Sequence, residues 1–124
     1  MTQYQQLQES SLDTTDLGFL IDNAISPVLG TDITGSIRFL AHENHIFAAQ
    51  SSHSFPVAEN FDDFLGLILA CGNAELLCRI PCWTRLRFQR ELSRYQPSHK
   101  QQMICNALKN CFQPPVIDDP YGYV

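Results

Sequence analysis

Phe61, Phe64, Leu65, Ile68 and Leu69 recur at i, i+3, i+4, i+7 and i+8, the spacing that gathers side chains on one stripe of an α-helix facing a core. Asn60 stands where an N-cap accepts a free amide. Asp62 and Asp63 occupy the first turn, where the helix dipole favours carboxylates, and Gly72 follows as a residue that leaves a helix easily in a left-handed conformation. Upstream the period changes from 3.6 to 2. Ser36-Ile37-Arg38-Phe39-Leu40 and Ile46-Phe47-Ala48-Ala49-Gln50 are strand-like runs separated by the polar, turn-forming His42-Glu43-Asn44-His45. Ile37 and Phe39 alternate with Arg38, and Ile46 and Ala48 with Phe47, which predicts an antiparallel hairpin covered on one face.

The flanks read less sharply. Leu17 to Ile21 is a short apolar run fit for a first strand, and Pro27 with Gly30 breaks the chain before another extended piece. Asn73 caps a second short helix through Cys78, which Pro81 ends. A third helix, Trp83 to Tyr95, has only the thin stripe Trp83, Leu86, Phe88 and Leu92. A fourth, Ser98 to Phe112, presents Met103, Ile104, Ala107, Leu108, Cys111 and Phe112 on one face until Pro114-Pro115 stops it. Residues 1–16, polar with isolated Leu7 and Leu12, predict a frayed arm or a weakly docked helix, and residues 113–124 an irregular tail. The expected fold is α+β in one domain spanning 1–124: a small antiparallel sheet packed by C-terminal helices.

Composition agrees with a folded chain. At 124 residues there is material for one core, and 44% hydrophobic with 17% charged residues lies in the globular range, far from the signature of disorder. The longest apolar run, Phe64 to Cys71, falls well short of the ~18 residues a membrane span needs. Met1 to Ser11 has neither a basic nor an apolar region of a secretory signal, so the cytoplasm is the expected compartment. Five cysteines, Cys71, Cys78, Cys82, Cys105 and Cys111, are an odd number at apolar positions, which predicts buried free thiols in a reducing environment.

Charge is divided along the chain. Residues 1–70 carry nine acids against the single base Arg38, net −8, whereas residues 71–124 carry seven bases against four acids, net +3. A negative surface repels phosphate backbones and attracts basic proteins, so the expected partner is a protein and not a nucleic acid or a membrane. Candidate binding residues are the acids near the strands: Asp22, Asp32, Glu43 and Glu59. The third helix holds Arg85, Arg87, Arg90 and Arg94, but four arginines over ten residues point around much of a helix, which reads as a solvated face.

Catalytic patterns are missing. His42, Glu43, His45 and His53 are residue types that bind zinc, yet His42-x-x-His45 is not the i, i+4 pair of a zinc protease, and a solvated turn explains it. Cys78-x-x-x-Cys82 and Cys105-x5-Cys111 miss the close spacings of zinc knuckles. There is no glycine-rich phosphate loop, no Gly-x-Ser-x-Gly elbow, and Asp62-Asp63 is accounted for by its helix start. No catalytic residue, metal or cofactor is expected.

Gly35 to Leu40, Ile46 to Ala48 and above all Ala58-Glu59-Asn60-Phe61-Asp62-Asp63-Phe64-Leu65 follow a recognisable order: a strand pair, an extended segment, then a helix start with Phe, two acids, Phe and Leu. Over about Leu17 to Cys71 the chain resembles the SUKH superfamily, which includes fungal regulators of cell-wall glucan synthesis and bacterial immunity proteins that neutralise co-encoded toxins. The resemblance implies a SUKH-like α+β fold and a binding role without catalytic residues. Its leading expectation is an immunity-like protein whose acidic half covers a basic toxin domain. One alternative is a regulatory or scaffold module of the same fold that binds a housekeeping protein or a peptide through the sheet or the Trp83 helix; another, of a different class, is a small metal-dependent enzyme built on His42, Glu43, His45 and His53.

Overall fold

The computed structural model describes residues 20–21, 28–31, 36–43, 45–50 and 53–123. Among the described residues five strands come before the helices: β1 (Leu20–Ile21), β2 (Val28–Thr31), β3 (Ile37–His42), β4 (His45–Gln50) and β5 (His53–Ala58). Each pairs antiparallel with the next, so the sheet is a meander in the order β1-β2-β3-β4-β5. Helices follow: α1 (Phe61–Cys71), α2 (Ala74–Arg79), a 3-10 turn at Ile80–Cys82, α3 (Arg85–Arg94), α4 (His99–Phe112) and a last turn α5 (Pro120–Tyr123). The α+β class expected from the sequence is the one observed. No single helix among the described residues is long and apolar enough to cross a membrane.

The hairpin lies where the alternation placed it. β3 and β4 pair from Ile37 opposite Gln50 to His42 opposite His45. Phe39 and Ala48, directly opposed, are fully buried, and Ile46 beside them nearly so, while Arg38 is exposed. Phe39 meets Phe64 of α1 with ring centroids 5.2 Å apart, a tilted pair of the favoured kind. The helix therefore lies on the face that the alternation marks as covered.

β5 is the strand that the sequence reading leaves as no more than an extended segment. Pro56 has no amide to give a ladder, which demotes a run that contains it; the run is nevertheless a strand because it is the last in the sheet order, where proline is tolerated. A register shift between Ile46 and Phe47 leaves Val57 as an extra residue on β5, and Val57 and Ala58 are both buried. Gly30, expected as a breaker, lies inside β2 beside another register shift, a usual place for glycine.

The helix ends are local chemistry. The Asp63 amide donates to Asn60 Oδ1 at 2.8 Å, and the Leu76 amide to Asn73 Oδ1 at 2.7 Å, so both predicted N-caps are made. Gly72 ends α1 at φ 84°, its amide donating to the Ile68 carbonyl at 2.8 Å. Ser98 and Gln101 form a reciprocal capping box at the start of α4.

α1 is more deeply enclosed than a single stripe implies, since Phe64, Leu65, Gly66, Leu67 and Ile68 are all buried. The sheet covers one side and residues 114–117 cover another. Gly66 makes that second contact: a Cβ there would run into the Pro115 carbonyl oxygen. The later helices are more peripheral than their stripes suggest. Leu86 is 67% and Met103 58% exposed, and in α4 it is Leu108 and Phe112, in the C-terminal half, that are buried in the core. The five cysteines are free, as expected, but they are not all buried: Cys71 and Cys78 are, Cys105 is half-buried, and Cys82, at the end of the 3-10 turn, and Cys111, on α4, are exposed.

The irregular tail expected over 113–124 is irregular only to Asp119. α5 then docks back on the body. The Tyr121 hydroxyl donates to the Trp83 carbonyl at 2.7 Å, the Tyr123 hydroxyl donates to Asp63 Oδ2 at 2.6 Å, and the Glu59 amide donates to the Tyr123 oxygen at 3.0 Å. The arm expected over residues 1–16 lies outside the described residues.

Candidate functional site

Of the four acids singled out by sequence, Asp22 and Asp32 lie outside the described residues. Glu43 and Glu59 are described, and the sheet brings them to the same end. Glu43 sits in the tight turn closing β3 and β4; Ala58 pairs with Ile46, so Glu59 follows at the level of His45, beside that turn. Both residues are exposed. The Glu43 side chain is 81% exposed, and its nearest basic neighbour is His42, with Nε2 at 3.9 Å from Oε1. Its backbone is in the left-handed region at φ 51°, where a two-residue hairpin turn needs positive angles and where glycine or asparagine fits with less strain than a glutamate.

The histidines do not converge. His42 and His45 face each other at the turn, but His53 pairs with Gln50 at the opposite end of β4. Six residues of strand put those ends ~17 Å apart, at about 3.4 Å per residue. Among the described residues no three His, Cys, Asp or Glu side chains are arranged to hold a metal ion. The set offered for a metal-dependent enzyme therefore does not gather, for a reason of topology: His45 and His53 begin two neighbouring antiparallel strands and so stand at opposite ends of the β4–β5 pair.

The cysteines offer little nucleophilic chemistry in the core. Burial pushes the Cys71 thiol up to about 12, which leaves it protonated and inert at neutral pH. Burial raises Cys105 as well, against a smaller opposing pull from Lys109.

A concave surface lies at the Trp83 helix, one of the two places the sequence offered for a regulatory module to bind. α2 ends in the Ile80–Cys82 turn, Trp83 continues in extended conformation, and the Thr84 side chain caps α3 by accepting from the Arg87 amide at 3.2 Å. This reversal sets α2 beside α3 and opens a groove of about 490 Å³, lined by Asn73, Glu75, Leu76 and Arg79 from one side and Trp83, Arg87 and Tyr95 from the other. The Arg87 guanidinium stacks over the Trp83 ring, its carbon 4.7 Å from the centroid. Arg79 has only a loose contact, 4.0 Å, with exposed Glu75 one turn earlier.

The arginines of α3 thus have different employments. Arg85 leaves the groove side and binds Asp119 through both carboxylate oxygens, at 2.9 and 3.0 Å, while its guanidinium carbon lies 4.9 Å over Tyr121. The Asp119 carboxyl is held below its usual range by the Gly122 amide first and by Arg85 second. Arg94 lies 3.7 Å from Glu91. Arg87 makes no ion pair among the described residues. All four arginines of α3 are exposed, as the reading of a solvated face expects; what that reading leaves out is that Arg87 lies over Trp83, one turn before it.

Compared with protein-family models, with curated proteins and with solved structures, the chain matches none.

Proposed function

We propose that this chain is a non-catalytic protein-binding domain of the immunity-like kind, and that a basic partner such as a toxin domain docks against the acidic end of its sheet. The observation that supports this most is Glu43. A glutamate occupies the tip of the β3–β4 turn in a left-handed conformation that glycine or asparagine would adopt more cheaply, and it stands exposed beside Glu59. Strain retained at a surface residue is a reason to look for a role there. Rim charges of this type act mainly by steering the encounter and by selecting the sign of the partner.

The test is co-purification with the product of the adjacent gene, followed by calorimetry at low and high salt. Wild-type protein is expected to bind, with affinity falling as salt rises. Glu43→Lys together with Glu59→Lys is expected to weaken binding roughly tenfold or more, mostly through a slower association rate. Binding that ignores both salt and the double reversal would sink the proposal.

A further inference from the structure

We infer that the groove between α2 and α3 binds a short acidic peptide segment, its carboxylates held by Arg79 and Arg87 and its chain laid across Trp83. This is a second surface, separate from the acidic end of the sheet: its Asn73 and Tyr95 end adjoins Gly72, at the far end of α1 from Glu59.

Three features of the groove specify the ligand. The first is sign. Arg87 has an aromatic ring beneath it and no carboxylate partner among the described residues, and Arg79 shares only the long contact to Glu75, so both guanidiniums are open to an incoming carboxylate. A planar fork stacked on a ring is pre-organised for two-point contact with a carboxylate and loses little freedom on making it. The second is shape. The groove runs from Trp83, just before α3, to Tyr95, just after it. A ten-residue helix is ~15 Å long, which accommodates about four or five residues of extended peptide at ~3.3 Å each. A single tetrahedral anion would leave most of a volume of about 490 Å³ empty.

The third feature is the surrounding charge. The chain carries a net charge of −5, and Glu75 sits in the groove wall. The acids concentrate in residues 1–70, net −8, and Glu43 and Glu59 stand at the end of the sheet; a long polyanion that runs past residues 71–124 meets that field, whereas a segment of four or five residues ends before it. A peptide with two suitably placed carboxylates is favoured over a nucleic acid strand on this ground, although an aromatic ring beside arginine stacks on bases too.

Trp83 is the only tryptophan in the chain, so its emission reports directly on the groove. The experiment titrates the full chain with hexaglutamate and follows that emission. A saturable change is expected, weakened by added salt. Arg87→Gln is expected to raise the Kd about tenfold, as loss of a charge-assisted contact does, and Arg79→Gln to raise it also. Arg38→Gln removes the same charge from an exposed position on β3 and is expected to leave the Kd unchanged. Circular dichroism confirms that each variant is folded. No response, an equal response to hexaglutamine, an equal affinity for inorganic phosphate, tighter binding of a thymidine hexanucleotide, or equal losses for Arg38→Gln and Arg87→Gln would each overturn the inference. Glu43→Lys and Glu59→Lys are expected to leave this titration as it is, which keeps the two surfaces experimentally separate.

Discussion

Gly72 shows how one residue serves two elements. Its positive φ ends α1, and the space where a side chain would stand is filled by the ring of Tyr95. The Tyr95 hydroxyl in turn donates to Gln101 Oε1 at 2.7 Å, next to the α4 capping box. An alanine at 72 would have to adopt a left-handed backbone and displace the ring. Backbone strain of about 1–2 kcal/mol plus overpacking of about 1–3 kcal/mol gives an expected loss of roughly 2–5 kcal/mol for Gly72→Ala, measured by urea denaturation. A loss of only about 1–2 kcal/mol, the backbone strain by itself, would mean that the ring swings aside freely, and a loss under about half a kcal/mol would refute the strain at position 72 as well. The capping roles of Asn60, Asn73 and Gly72 were legible in the sequence because a cap depends on residues within one turn. The need for glycine at 66 was not, since the Pro115 carbonyl that crowds it arrives from 49 positions later in the chain.

At the level of elements, α5 is held by its tyrosines. Tyr123 donates to Asp63 and accepts from the Glu59 amide, joining the last turn of the chain to the start of α1. Burial, and then the hydrogen bond to the Asp63 carboxylate, push the Tyr123 hydroxyl up to about 12. Its neutral form is the one the fold favours. The resulting stabilisation is complete below pH ~10, where an unfolded tyrosine titrates, and is lost as pH rises towards 12. Tyr123→Phe is expected to lower stability at pH 7 by about 1–2 kcal/mol and to fall less steeply than wild type between pH 10 and 12, as read from urea unfolding across that range. Parallel slopes for the two proteins would refute the linkage. The same element marks a limit of sequence reading. α1 and α4 announce themselves by period, and the β3–β4 hairpin by alternation. β5 is masked by Pro56 and by polar His53 and Ser54, and α5 is a single turn whose reason to fold is a contact with α1 rather than any local pattern.

Over the whole molecule, the division of charge that composition reveals acquires geometry. Glu43 and Glu59 end the sheet, while Arg79 and Arg87 line a groove among the helices. The acidic half of that picture was readable from charge counts. The basic half was not, because Arg85 is removed from the set by Asp119, 34 residues away, and no helical wheel contains that fact. The meander has one more consequence, for the order in which the molecule assembles. Every strand pairs with its neighbour in sequence, so the sheet closes through short loops with little entropy to overcome, whereas the ties of Tyr123 to Asp63 and Glu59 span 60 and 64 residues. The clasp is expected to form after the rate-limiting step. In stopped-flow experiments Tyr123→Phe should then speed unfolding while leaving the refolding rate almost untouched; a slowed refolding limb would place the clasp in the folding nucleus instead. The last turn of the chain, on this account, governs how long the native state survives rather than how quickly it is reached.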